Sequence, residues 1–110
     1  MEFDVRESGD VTIVGITGKL NTQTAPVAQE QLIALIDKGA KKILIDLDGL
    51  DYISSWGLRI ILLAAKHLGA AGGKLRLCNP NKTVKEILDI SGFGSIFLVY
   101  GDRAEALDGF

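Results

Sequence analysis

The sequence predicts an α/β domain: a mixed β-sheet of about five strands packed by about four helices. Three observations lead there. Short aliphatic and β-branched runs, such as Val11–Thr17, Lys41–Leu47 and Lys74–Cys78, alternate with longer stretches whose apolar residues recur at helical spacing. Gly, Asn and Pro punctuate most of the joins. With 110 residues, 47% hydrophobic and 24% charged, the chain can bury one core without a metal or a disulfide, as a single domain over residues 1–110.

The elements follow in order. Glu2–Glu7 reads as an edge strand and Ser8-Gly9-Asp10 as a turn. Val11–Thr17 sets Val11, Ile13, Gly15 and Thr17 against Val14 and Ile16, so the second strand is apolar on both faces and covered on at least one. A hairpin is the simplest connection between these two strands. Gly18–Thr22 breaks the pattern. Thr24, or a neighbour, caps a helix with Pro26 in its first turn, and Val27, Gln31, Leu32, Leu35 and Ile36 follow at helical spacing until Gly39 stops it. Lys41–Leu47 is a strand in which Ile43, Ile45 and Leu47 alternate with Leu44 and Asp46. Gly49–Ile53 connects it to a helix from Ser54–Ser55 to about Leu68, ended by Gly69–Gly73. Lys74–Cys78 is a strand and Asn79-Pro80-Asn81 a turn. A helix with Val84, Ile87 and Leu88 inward runs to Ser91–Gly94. Ile96–Tyr100 forms the last strand and Asp102–Leu107 a short helix. Alternating strands and helices imply a mainly parallel sheet, with the opening hairpin as its antiparallel part.

Several function classes lack support. The net charge is −2 and the pI about 5.3, with Lys41–Lys42, Lys74–Arg76 and Lys82–Lys85 scattered, so direct nucleic-acid binding is not expected. The acidic start Met1–Asp4 lacks a signal core, and the longest apolar run, Ile60–Ala65, is too short for a bilayer. A cytoplasmic protein without membrane insertion is the expectation. His67 is the sole histidine and Cys78 the sole cysteine, so no internal disulfide can form and no metal site is expected. Cys78 ends an apolar strand and reads as a buried structural thiol. Gly69, Gly72 and Gly73 lack the Lys-Ser/Thr of a phosphate loop and follow a helix, so they read as its terminator. Asp46, Asp48 and Asp51 read as solvated loop charges. No acid–base pair stands out, and neither a cofactor nor an enzymatic activity is expected.

The informative segment is Ile43–Arg59, in which a buried strand leads through a loop to a helix start bearing Ser54 and Ser55. On local sequence, a serine capping the helix accounts for it. The same geometry admits a regulatory reading. Free N–H groups and the helix dipole tolerate an anion there, and a phosphate adds a charge of roughly −2 to a neutral surface. A docked partner would then be repelled. On the second helix, Leu58, Ile61, Leu62, Ala65 and Leu68 form the core stripe. Arg59, Leu63, Lys66 and Ala70 fall on another face, with Ile60 and His67 between. Trp56 or Leu63 beside Arg59 would make a mixed apolar and cationic docking patch, unless Trp56 packs on its own loop.

Over nearly its whole length the chain resembles the STAS family, especially bacterial anti-sigma factor antagonists. The carriers are Ile16–Asn21, the strand Ile43–Leu47, Tyr52–Arg59, Gly72–Leu75 and Ile87–Phe93. The resemblance implies a mixed sheet packed by helices, a phosphorylatable serine at the second helix's N-terminus, and an anti-sigma factor partner with serine kinase activity. The family pattern is Asp-Ser-Ser/Thr-Gly-Leu. Aligned on Gly57-Leu58, it puts Ser54 at the Asp, Ser55 at the phosphorylated serine and Trp56 after it. Ser54 and Asn21 stand where the family usually carries Asp, and Ser54 is the alternative acceptor.

The implied function is partner switching. Unphosphorylated, the protein binds the kinase through Asn21, Ser54, Ser55, Trp56, Gly57, Arg59 and Leu63; phosphorylation releases it and a phosphatase resets it. Transcription is thereby regulated indirectly. Two alternatives stay open: a non-phosphorylated accessory subunit of a membrane lipid or anion transporter, and an enzyme or nucleotide-binding domain using the strand ends.

Overall fold

The computed structural model describes residues 1–110. In chain order the elements are β1 (Glu2–Ser8), β2 (Val11–Leu20), α1 (Ala25–Asp37), β3 (Lys42–Asp46), β4 (Leu50–Ile53), α2 (Ser55–Ala70), β5 (Lys74–Cys78), α3 (Lys82–Ser91), a short 3-10 turn (Phe93–Ser95), β6 (Leu98–Tyr100) and α4 (Arg103–Leu107). The sheet has six strands in the order β1-β2-β3-β5-β6, and β4 pairs with β2. Only the β1–β2 hairpin is antiparallel; β2–β3, β2–β4, β3–β5 and β5–β6 run parallel. No helix is long and apolar enough to cross a membrane.

The period-2 alternation of β3 divides the core. Ile43 and Ile45 face the large cluster, where β-strand residues Val14, Ile16 and Leu77 meet α1, α2 and α3. Leu44 turns to the other face and joins Val11, Ile13, Cys78 and Ala106 in a small cluster closed by α4. Three helices therefore cover one face, and α4 covers part of the other. Apolar burial on both faces is why β3 reads as a near-continuous hydrophobic run.

The sheet departs from the sequence expectation around Gly18. The second strand continues through Leu20, and Leu50–Ile53, expected as a connection, forms β4. Up to Gly15↔Asp46 the strand pairs with β3; from Gly18↔Leu50 onward it pairs with β4. A register shift between Gly18 and Lys19 marks the change, with Gly18 at φ +88°. Glycine takes that φ without the Cβ penalty, so this residue bends the strand without ending it.

Two further expectations are corrected by packing. On α1 the buried residues are Ala25, Ala28, Leu32 and Ile36, while Val27 is exposed and Leu35 half-buried. On α2, Ile60 and Ala64 join Leu58, Ile61 and Leu68 in the core, and Leu62 and Ala65 are half-buried. Helix α2 packs against α1 as well as the sheet, which rotates the buried arc toward Ile60.

Asp46 is the main polar feature of the second face. Expected as a solvated loop charge, it is instead buried at 6% exposure. Its Oδ2 accepts from Arg103 Nη2 at 2.6 Å and Nε at 3.1 Å. Its Oδ1 accepts from Asn79 Nδ2 at 3.1 Å and the Asp48 N–H at 3.0 Å. Burial pushes the carboxyl pKa up, but the Arg103, Asn79 and Asp48 hydrogen bonds outweigh it, and the net direction is downward from 3.8. The adjacent Cys78 thiol is pushed up to about 12, chiefly by burial and then by the Asp46 charge. At neutral pH it is therefore a protonated packing group.

A depressed folded pKa stabilises the fold above the unfolded carboxyl value of about 3.9, and this is lost as pH falls through the folded value. Arg103→Gln leaves Asp46 with two hydrogen bonds and no cation. The expected cost at neutral pH is about 1–2 kcal/mol, below the usual cost of breaking a buried pair because Arg103 is half-exposed. Urea unfolding at a series of pH values should show the gap to wild type closing below pH of about 4. A gap independent of pH would contradict this account.

Candidate functional site

The site lies at the carboxyl ends of the parallel strands, where β4 turns into α2. Ser54 is the N-cap, extended at φ −88° and ψ 173°, and its Oγ accepts from the Gly57 N–H at 3.2 Å. The Ser54 N–H donates to the Leu20 carbonyl at 2.8 Å, which ties the helix start to the end of β2. Ser55 is the first residue of α2 and is exposed. The two adjacent serines thus separate: one satisfies an orphan helix N–H, and the other presents its side chain to solvent.

Gly57 permits this closeness. A Cβ there would meet Ile53 Cγ1 at 2.8 Å, and Leu20 Cγ and the Leu20 carbonyl oxygen at 2.9 Å. Because one of these is backbone already engaged by Ser54, only glycine lets the first turn of α2 sit on β2.

Asn21 follows β2 directly, so the Leu20–Ser54 bond brings it beside the helix start. It is half-buried, and its Oδ1 accepts from the Gln23 and Thr24 N–H groups at 3.0 and 3.2 Å. Thr24 occupies the N-cap position of α1, but its side chain makes no cap bond; its hydroxyl donates to the Lys19 carbonyl at 2.8 Å. Asn21 therefore folds the loop on itself and contributes a neutral amide to the rim.

The remaining candidates lie along α2. Trp56 is 49% exposed and Leu63 44%. The Arg59 guanidinium stands 5.1 Å from the Trp56 ring centroid. Trp56 is thus half-exposed with a cation over its ring, and not sunk into its own loop. Ser55, Arg59 and Leu63 recur every fourth residue and share one exposed stripe. Ser55, Trp56 and Arg59 alone line a shallow depression. Tyr52, which the sequence reading did not place on this surface, is also exposed and pairs in register with Lys19. Its signal was the β4 pattern Leu50-Asp51-Tyr52-Ile53, with the ends inward and the centre outward.

Electrostatically the patch is cationic to neutral. The first turn of α2 has no acidic residue, and Arg59 takes part in none of the ion pairs, which are Arg6–Asp4, Lys42–Asp10, His67–Asp37 and Arg103–Asp46. A broader cleft lies at the opposite end of the sheet, among Glu7, Asp10, Lys38, Lys41 and Lys42. Its Lys42 is paired with Asp10 at 2.7 Å. His67 is exposed near the end of α2, 3.3 Å from Asp37. No group of three or more His, Cys, Asp or Glu residues is arranged to hold a metal.

Comparison with known proteins agrees with this architecture. The STAS domain model matches residues 2–106. A Bordetella bronchiseptica protein assigned as an anti-sigma factor antagonist, BtrV, is 39% identical over 110 residues, covering 100% of this chain and 95% of that one. The crystal structure of a Thermotoga maritima protein assigned the same role has a TM-score of 0.91 at 26% identity, covering 96% of this chain and 92% of that one. The Bacillus cell fate determinant SpoIIAA in its phosphorylated form shares the fold, with a TM-score of 0.74 at 22% identity and 97% of each chain covered. A six-stranded mixed sheet with three helices on one face, a serine-bearing helix start and full-length similarity to such relatives lead to one assignment: the chain belongs to the STAS domain family.

Proposed function

We propose that this protein is an anti-sigma factor antagonist that works by partner switching. Unphosphorylated, it presents Trp56, Arg59 and Leu63, with Asn21, Ser54 and Ser55 at the rim and the buried Gly57 beneath them, to an anti-sigma factor that is also a serine kinase. Capture of that partner frees the partner's other client, so transcription responds indirectly. The kinase transfers the γ-phosphoryl group of ATP to Ser55 Oγ, the hydroxyl proton is lost, and ADP leaves. The dianionic surface repels the partner. A phosphatase returns the serine to its hydroxyl form by hydrolysis. The chain itself binds; the phosphoryl chemistry belongs to its partners.

The observation that carries this reading is the division between the two serines. Ser54 Oγ is engaged in the helix cap, while Ser55 is exposed beside an apolar and cationic patch. Phosphate on Ser55 would leave the cap intact and lie where the helix dipole favours negative charge. Phosphate on Ser54 would have to be placed on a half-buried hydroxyl already engaged by the Gly57 N–H.

The test is phosphosite mapping by mass spectrometry after incubation with the cognate kinase and ATP. One phosphate on Ser55 is expected, absent from Ser55→Ala. Phosphate on Ser54 alone would move the switch by one residue. Phosphate on neither serine would remove the mechanism and favour a constitutive STAS subunit of a membrane transporter.

A further inference from the structure

We propose that Arg59 is the internal receiver of a phosphate on Ser55, and that it leaves the Trp56 ring to reach it. This rests on the reading of Ser55 as the modified serine.

Three observations converge on Arg59. It lies four residues after Ser55, on the same helix face. Helical side chains lean toward the N-terminus. Accordingly its guanidinium lies back over the first turn, 5.1 Å from the Trp56 centroid, and the two line one depression with Ser55 alone. Its charge is also uncommitted. Arg59 is in no ion pair, α2 opens with no acidic residue, and the neighbouring Ser54 and Asn21 are neutral. Nothing on the patch competes for the guanidinium until a phosphate arrives.

The relative strengths of the two contacts decide the direction. A stack between an exposed guanidinium and an indole is a weak contact. A guanidinium and a phosphate dianion form paired charge-assisted hydrogen bonds, among the stronger side-chain contacts. The phosphate therefore draws Arg59 off the ring. One modification then changes the patch twice: it adds an anion, and it withdraws the only cation that stood over Trp56. A partner that needs the uncovered Arg59 charge loses it along with meeting the phosphate.

The experiment installs phosphoserine at position 55 during translation, in the full chain, so no kinase is involved. The readouts are the Arg59 Nε–H resonance in a 15N spectrum and the emission of Trp56, the sole tryptophan. The expected result is a downfield shift of Arg59 Nε–H with slowed exchange, together with a change in Trp56 emission. Arg59→Gln should abolish most of the emission change, whereas Lys19→Gln should retain it. An unmoved Nε–H resonance, or an equal Trp56 response in Arg59→Gln, would overturn the inference. Because the phosphate is supplied directly, failure here is separable from failure of the switch, which shows as absence of kinase-dependent phosphate on Ser55.

Discussion

Replacing Ser55 with aspartate is expected to weaken capture of the proposed kinase partner by roughly ten- to more than a hundredfold, about 1.4–3 kcal/mol. The substitution puts one negative charge on an exposed position next to the Trp56–Arg59 patch, where the first turn of α2 carries none. It supplies less charge and fewer acceptor oxygens than phosphate, so its effect is the smaller of the two. Ser55→Ala should bind like wild type, because a small neutral side chain leaves the patch unchanged, but it should not respond to the kinase. Neither variant should lose stability. The cap belongs to Ser54, and an acidic side chain in the first turn is favoured by about 0.3–1 kcal/mol. Titration calorimetry with the partner and urea unfolding of each variant check both halves. Wild-type affinity in Ser55→Asp would refute electrostatic release.

The largest stability effect is expected from Ile45→Ala. Ile45 is fully buried on β3, in register with Val14 of β2 on one side and Leu77 of β5 on the other. Three helices close the cluster it belongs to, so the site has little freedom to collapse around a missing side chain. Loss of transfer energy plus a residual cavity should cost about 2–5 kcal/mol, a large share of the 5–15 kcal/mol available to a domain of this size. Each kcal/mol corresponds to a Tm fall of about 4–8 °C in small domains, so the variant should melt well below wild type. Urea unfolding should show a lower midpoint with an unchanged slope. A cost under about 1 kcal/mol would mean that β3 is not the packed centre of the sheet.

Much of this was legible in the sequence because the signals are local. The apolar alternation of Ile43–Leu47, the helical spacing of Leu58, Ile61 and Leu68, and the punctuation at Gly39 and Asn79–Asn81 each lie within a few residues. The features that escaped depend on distant partners. Strand β4 has four residues, two of them inward, and exists because β2 passes beside it after the Gly18 shift. Asp46 ends the β3 alternation beside Asp48 and Asp51, so its charge reads as solvated, and its burial depends on Arg103 and Asn79 far along the chain. The Ser54-Ser55 pair marked the helix start but did not reveal which serine caps it. That choice is made by the Leu20 carbonyl holding Ser54 in the extended conformation.

The division of labour between these serines has a genetic consequence. Two neighbouring codons specify the same amino acid, yet mutations in them should fall into different phenotypic classes. Loss of the Ser54 hydroxyl removes a cap from the helix that builds the patch, so its signature is reduced protein abundance, suppressible by stabilising changes elsewhere in the core. On the proposed switch, loss of the Ser55 hydroxyl should leave abundance alone and lock the output in one state, and no core suppressor should restore it. A screen that scores abundance and output separately would resolve the two positions without any knowledge of the fold.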